Sequence, residues 1–151
     1  MRRAIATVTT HDLPTLRGYW EGRDLALRDR LQLFPGEEIR RQVLDERVRD
    51  RAQLLAALEA AGLRPESAQS VEIAFSQELA RAIQLYLARS AAALAVLQIE
   101  DLIGMGDPVN VPGTSAEHAN WQRKITATIE DVFEDEPTAQ FLEDVQFARS
   151  S

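Results

Sequence analysis

The residues that could do chemistry appear almost at once. Residues 8–20 read "VTTHDLPTLRGYW", a β-branched run into His11-Asp12, then Pro14 and a helix-like segment. A carboxylate at the C-terminal end of a parallel strand stands where α/β barrels place their active sites. Asp12 there could be a base, a nucleophile or an acceptor for sugar hydroxyls, and His11 could donate to a hydroxyl. Spacing alone leaves a second role open, in which Asp12 only caps the following helix.

Two further clusters lie downstream. Glu100-Asp101 follows the apolar run "ALAVLQI" at 93–99. Adjacent acids on an extended chain point to opposite sides, so they cannot form one catalytic pair. One could face a pocket, or both could supply charge at a helix start. "NVPGT" at 110–114 and "NWQRK" at 120–124 form the last cluster. A Pro-Gly turn fixes the backbone there, and Asn110 could offer its amide to hydroxyl groups. Trp121 could stack on a sugar face, but the expected role is anchoring the next helix, because large aromatics bury so much area. His118 reads as a loop histidine with no histidine near it in sequence, so no metal site is expected. The acids of 130–136 lack the spacing and glycine of a calcium loop, and no phosphate-cradling loop or serine-nucleophile motif occurs. No cofactor is called for.

The elements that must position these residues follow from pattern. Residues 4–9 and 93–99 read as short strands of the kind buried on both faces of a parallel sheet. Residues 13–33 read as helical, with Asp12 as a possible N-cap and Pro14 in the first turn, and Gly18 and Gly22 weaken the pattern so that a break is expected near 21–24. The strongest helix runs over 37–61, with Leu44, Val48, Ala52, Leu55 and Leu58 in one buried stripe. Gly62 suits the position after its end, and Pro65 stops continuation. Ser76 is placed to cap a helix over 77–90, with Leu79, Ile83, Tyr86 and Leu87 on one face. Residues 66–75 carry no clear pattern. Asn120 is placed to cap a helix from Trp121 to about Phe133, and Pro137 to start a last one reaching about Arg149. The order is mainly α with two short β-strands, joined as a βαβ-like unit.

Size and charge narrow the class. The 151 residues fit one domain, and a 45% hydrophobic, 27% charged composition is that of a globular protein. The net charge of −7, with arginines dispersed among acids, argues against nucleic acid and against an anionic membrane surface. Neutral substrates such as sugars remain compatible. With no cysteine there is no disulfide, thiolate metal site or cysteine nucleophile, which fits a reducing cytoplasm. No apolar run approaches a membrane span, and "MRRAIATVTT" makes a poor signal peptide.

Three segments, "TTHDLPTLRGYWEGRDL", "LQIEDLIGMGDPVNVPGT" and "NWQRKITATIEDVF", together resemble the C-terminal part of the 4-α-glucanotransferases, the amylomaltases or disproportionating enzymes of glycoside hydrolase family 77. The likeness runs in order over nearly the whole chain, and its motifs are specific only jointly. It implies a C-terminal fragment of a (β/α)8 barrel over 1–151, with the strand before His11 as the seventh and "ALAVLQI" as the eighth. It implies transfer of α-1,4-glucan segments between maltooligosaccharides by a retaining double displacement with two carboxyl groups. By motif match, Asp12 is a third, transition-state stabilising carboxylate. His11 binds the same sugar, and Asn110 lies in the loop after strand eight, near the glucan. The motif Pro-Asn-Trp-Arg-Arg-Lys reads Ala119-Asn120-Trp121-Gln122-Arg123-Lys124 here, a departure that falls on the loop and not on Asp12.

The family's nucleophile and acid/base segments precede the His-Asp segment and have no counterpart in these residues, so the chain by itself is expected to be inactive. The competing expectation is a non-catalytic helical oligomerisation or interaction module. Two barrel strands without neighbours leave unpaired edges, so the isolated chain is expected to form a homo-oligomer.

Overall fold

In a computed structural model the described residues are 4–68 and 74–150. The order is β1 (Ile5–Thr7), α1 (Leu16–Glu21), α2 (Arg23–Arg30), α3 (Glu37–Ala60), α4 (Gln77–Ala88), β2 (Leu94–Val96), α5 (Ile99–Leu102), α6 (Ile129–Glu134) and α7 (Glu136–Ser150). These described residues are mainly helical with one small parallel sheet, in which Ile5, Ala6 and Thr7 lie opposite Leu94, Ala95 and Val96. Among the described residues α1 to α4 lie in the crossover between the two strands, the long connection that parallel pairing requires. Among the described residues no helix is long and apolar enough to cross a membrane.

The helical core follows local code. Ser76 caps α4, its hydroxyl accepting the N–H of Leu79 at 3.1 Å. Leu79 and Ile83 then bury against Leu55 and Leu58 of α3 and Leu16 and Trp20 of α1. α3 ends at Ala60 with Ala61 as its C-cap, and Gly62 turns the chain with φ 65°. The expected break in 13–33 falls at Gly22, whose φ of 72° separates α1 from α2. Gly18 is needed for another reason: a Cβ there would lie 2.5 Å from the carbonyl oxygen of Gly106. That close approach lays α1 against the loop after α5.

Several expectations are corrected. The cap of α1 is Thr15, whose hydroxyl accepts the N–H of Gly18 at 3.0 Å, and not Asp12. The helix expected from Asn120 is absent up to Ile129. Trp121 has φ 62°, incompatible with a helix, and Thr128 caps α6 through a reciprocal capping box with Asp131. The stripe on α3 is buried only in its second half, since Leu44, Val48 and Ala52 face solvent. Both strands are shorter than expected and not doubly covered: Ile5 is 67% and Leu94 58% exposed. The unpatterned residues 66–75 fall partly outside the described residues.

Candidate functional site

The three residues singled out for chemistry meet at one corner. The loop after β1 carries His11 and Asp12, and the loop after α5 brings Asn110 to them. The Asn110 side-chain amide donates to Oδ1 of Asp12 at 2.7 Å, across 98 residues of sequence. His11 Nε2 lies 3.2 Å from Oδ2 of the same carboxylate. Both oxygens are therefore oriented, yet each keeps a lone pair, and the group stands about half exposed. An oriented, open carboxylate flanked by two donors suits recognition of hydroxyl groups. Its position frees Asp12 from the capping role that spacing had left open.

Buried hydrogen bonds hold the corner in place. Asp101 is 2% exposed and sits on α5. Its Oδ1 accepts the N–H of Leu16 at 2.7 Å, and its Oδ2 accepts the hydroxyl of Thr9. One carboxylate thus ties the end of β1 and the start of α1, the two sides of the His11-Asp12 loop, to the second half of the chain. Burial raises its pKa above the ordinary carboxylate value, while the bonds from Thr9 and Leu16 act the other way. Glu100 and Asp101 lie on a helix and not on extended chain. Glu100 pairs with Arg123 at 3.4 Å. Asp101 is an internal brace, and neither the pocket-facing acid nor the solvated helix-start charge that the sequence left open.

The Asn110 loop is braced in turn. Asn120 accepts the N–H of Val111 at 2.9 Å and donates to the Thr114 hydroxyl at 2.8 Å. Its side chain spans the Pro-Gly turn and caps no helix. Arg123 reaches the sulfur of Met105 at 2.8 Å as well as Glu100, fixing the loop's far end to the start of the α5 loop. Trp121 corrects a sequence expectation: it starts and anchors no helix among the described residues, being 61% exposed, with its ring centroid 5.3 Å from that of His11. His118 lines a surface groove with Arg123, Asp107 and Glu117. Among the described residues no group of three His, Asp or Glu side chains could hold a metal ion.

Sequence reasoning missed Asp101 as a brace because its partners are 85 and 92 residues away. It also missed the exposed setting of Trp121. The pairing of Asn120 with the Pro-Gly turn was the available signal, since an asparagine spent on a turn cannot start a helix there.

Known proteins resemble this chain over its length. The 4-alpha-glucanotransferase family model matches residues 1–129. The chain is 33% identical over 151 residues to a 4-alpha-glucanotransferase of Haemophilus influenzae, covering 99% of this chain and 22% of that protein. It is 32% identical over 153 residues to a 4-alpha-glucanotransferase of Mycobacterium tuberculosis, covering 97% of this chain and 20% of the other. Among solved structures, amylomaltase from Corynebacterium glutamicum superposes with a TM-score of 0.75 at 28% identity, over 99% of this chain and 22% of that one. The chain spans about a fifth of the length of these relatives, matching their C-terminal portion.

Proposed function

This chain belongs to the 4-alpha-glucanotransferase family, and we propose that it is the part of such an enzyme that holds the sugar at the cleavage point. Residues 1–151 form one C-terminal segment of a (β/α)8 barrel, with β1 and β2 as its seventh and eighth strands. The enzyme moves α-1,4-glucan segments between maltooligosaccharides by a retaining double displacement. Asp12 accepts hydroxyls of the sugar being cleaved. Those bonds strengthen as positive charge develops at the anomeric carbon, so the carboxylate favours the transition state over the ground state. His11 and Asn110 fix its orientation and donate to the same sugar. The nucleophile and the acid/base come from the rest of the enzyme, so the 151 residues by themselves transfer no glucose from maltotriose. Formation of longer oligosaccharides by the purified chain would overturn this.

The single observation that supports the reading is the 2.7 Å bond from Asn110 to Asp12, which assembles two distant motif residues on one carboxylate. We place the enzyme in the cytoplasm, with which a chain without cysteine is compatible. The test is a chimera in which this chain replaces the matching fifth of the Haemophilus influenzae relative. Transfer between maltooligosaccharides should appear with Asp12 and fall by about a thousandfold or more with Asp12→Asn, as for loss of a principal transition-state contact. Equal activity of the two chimeras, both folded by near-ultraviolet circular dichroism, would remove Asp12 from the reaction.

A second reading, a self-associating module, is favoured by one observation: the apolar side chains of Ile5, Leu94 and Val96 on the small sheet face solvent. As an isolated chain the protein forms a homo-oligomer through that sheet.

A further inference from the structure

We propose that Trp121 is a stacking platform for a glucose ring next to Asp12. This rests on the reading of the His11, Asp12 and Asn110 corner as a glucan site and adds the residue that would read the sugar's apolar face. A pyranose presents hydroxyls around its rim and C–H bonds on its faces. Recognition therefore combines hydroxyl partners with one flat apolar surface, which an indole supplies. The corner already holds a carboxylate, an amide and an imidazole, and the Trp121 ring supplies a flat, exposed apolar surface beside them, its centroid 5.3 Å from that of His11 and tilted 45°.

A role in the fold accounts poorly for this side chain. Against the described residues it leaves 61% of its surface exposed. Its φ of 62° places a bulky residue in the left-handed region, where glycine would fit without strain. Backbone strain of this kind persists where the surroundings fix it, and functional sites are where it collects. The surroundings do fix it here. The Trp121 N–H donates to the Val109 carbonyl at 2.9 Å, and the preceding Asn120 is locked to Val111 and Thr114. The ring is held out from a rigid turn, next to polar groups, with its exposed area unused by the described residues. Whatever covers both the ring and the Asp12 corner has to keep that carboxylate hydrogen-bonded. A hydroxylated ring keeps those groups hydrogen-bonded.

The chain has two tryptophans, and the other, Trp20, is 2% exposed in the core. Two indole N–H resonances therefore report separately on the platform and on the fold. On titration of the 151-residue chain with maltotriose, the Trp121 indole should shift saturably while that of Trp20 stays. Trp121→Ala and Trp121→Leu should each weaken binding about tenfold, and Trp121→Phe should restore most of it. The Trp20 resonance and the Asn110 side-chain amide, followed in every variant, certify the fold and the corner. Shifts at the Asn110 amide without a shift at Trp121 would overturn the platform and leave the glucan-site reading standing. So would unchanged affinity in Trp121→Leu. A maltotriose titration that moves neither group would overturn both.

Discussion

Asp101 caps a helix to which it does not belong: its Oδ1 accepts the backbone N–H of Leu16 at 2.7 Å, 85 residues back in the chain. The same carboxylate accepts the Thr9 hydroxyl, so the segment bearing His11 and Asp12 is clamped at both ends by one buried side chain.

Removing that clamp should be costly in proportion to the groups left unpaired. Asp101→Ala strands the Leu16 N–H and the Thr9 hydroxyl in the interior, and should cost about 2–4 kcal/mol. Asp101→Asn keeps an acceptor for Leu16 and turns its amide toward the Thr9 oxygen, and should cost less than about 1 kcal/mol. Urea unfolding midpoints of the two variants test this. Equal losses would mean that charge, and not hydrogen-bond satisfaction, holds the segment.

The same residue sets a pH dependence. Burial lifts its pKa above the ordinary value of 3.8, so the folded chain holds this proton more tightly than the unfolded chain. As pH rises from that value through the raised one, the unfolded state loses its proton first and stability falls. Asp131 and Asp135 run the opposite way. Hydrogen bonds from Thr128 and Thr138 lower their pKa values, so their contribution is present above 3.8 and is lost as pH falls through the lowered values. Subtracting the stability of Asp101→Asn from that of the unaltered chain isolates the first effect. The difference should decrease with rising pH across that window and be flat on either side. A difference that increases would reverse the sign assigned to Asp101.

Arg47 joins three helices and offers a third measurement. Its guanidinium meets both oxygens of Asp24, at 2.8 and 2.7 Å, and donates to the Tyr19 carbonyl at 2.6 Å while lying 3.7 Å above the Tyr19 ring. A lysine ammonium cannot reproduce the fork or the stack, so Arg47→Lys should cost about 1–3 kcal/mol. Arg47→Met should cost about 3–5 kcal/mol because Asp24 is left without its partner, and adding Asp24→Leu should recover much of that. A double variant no more stable than Arg47→Met would show that the loss lies in packing around the arginine stem. Thermal unfolding of the four chains forms the cycle.

What could be read in the sequence was what is local. The Ser76 cap, the 3-4 spacing of Leu79 and Ile83, and the break at Gly22 are set by neighbours within a turn or two, and all three occur. The α3 stripe shows the limit. Periodicity tells that Leu44 and Val48 share a face with Leu55 and Leu58, but it does not tell what covers that face, and in this chain only the second half finds a partner. Thr15 displaced Asp12 as the α1 cap, although both are good capping types, because the turn at 10–13 carries the chain past Asp12 before the helix begins. Long-range partners were illegible. Nothing near Asp101 announces Thr9 or Leu16, and nothing near Asn110 announces Asp12 except the joint likeness of their motifs to one family. Trp121 defeated the burial argument because its turn aims the ring outward, where its area does not stabilise the fold.

The open sheet makes the last prediction. β1 and β2 form a two-stranded parallel pair, a structure with too few strands to be stable unless packed or extended. Among the described residues each strand offers one unpaired edge, and Ile5, Leu94 and Val96 expose apolar side chains on the same small sheet. Lysine on an edge strand opposes such pairing because association would bring like charges together and bury them. The purified chain should therefore sediment as a dimer or larger species. Ile5→Lys with Leu94→Lys should lower that mass toward the monomer without loss of helical circular dichroism, since neither side chain belongs to the α1, α3 and α4 core. Asp12→Asn, on the loop beyond the strand, should leave the mass unchanged. A monomeric mass for the unaltered chain at high concentration would mean that the two strands find cover within their own molecule, and the self-associating reading would fall.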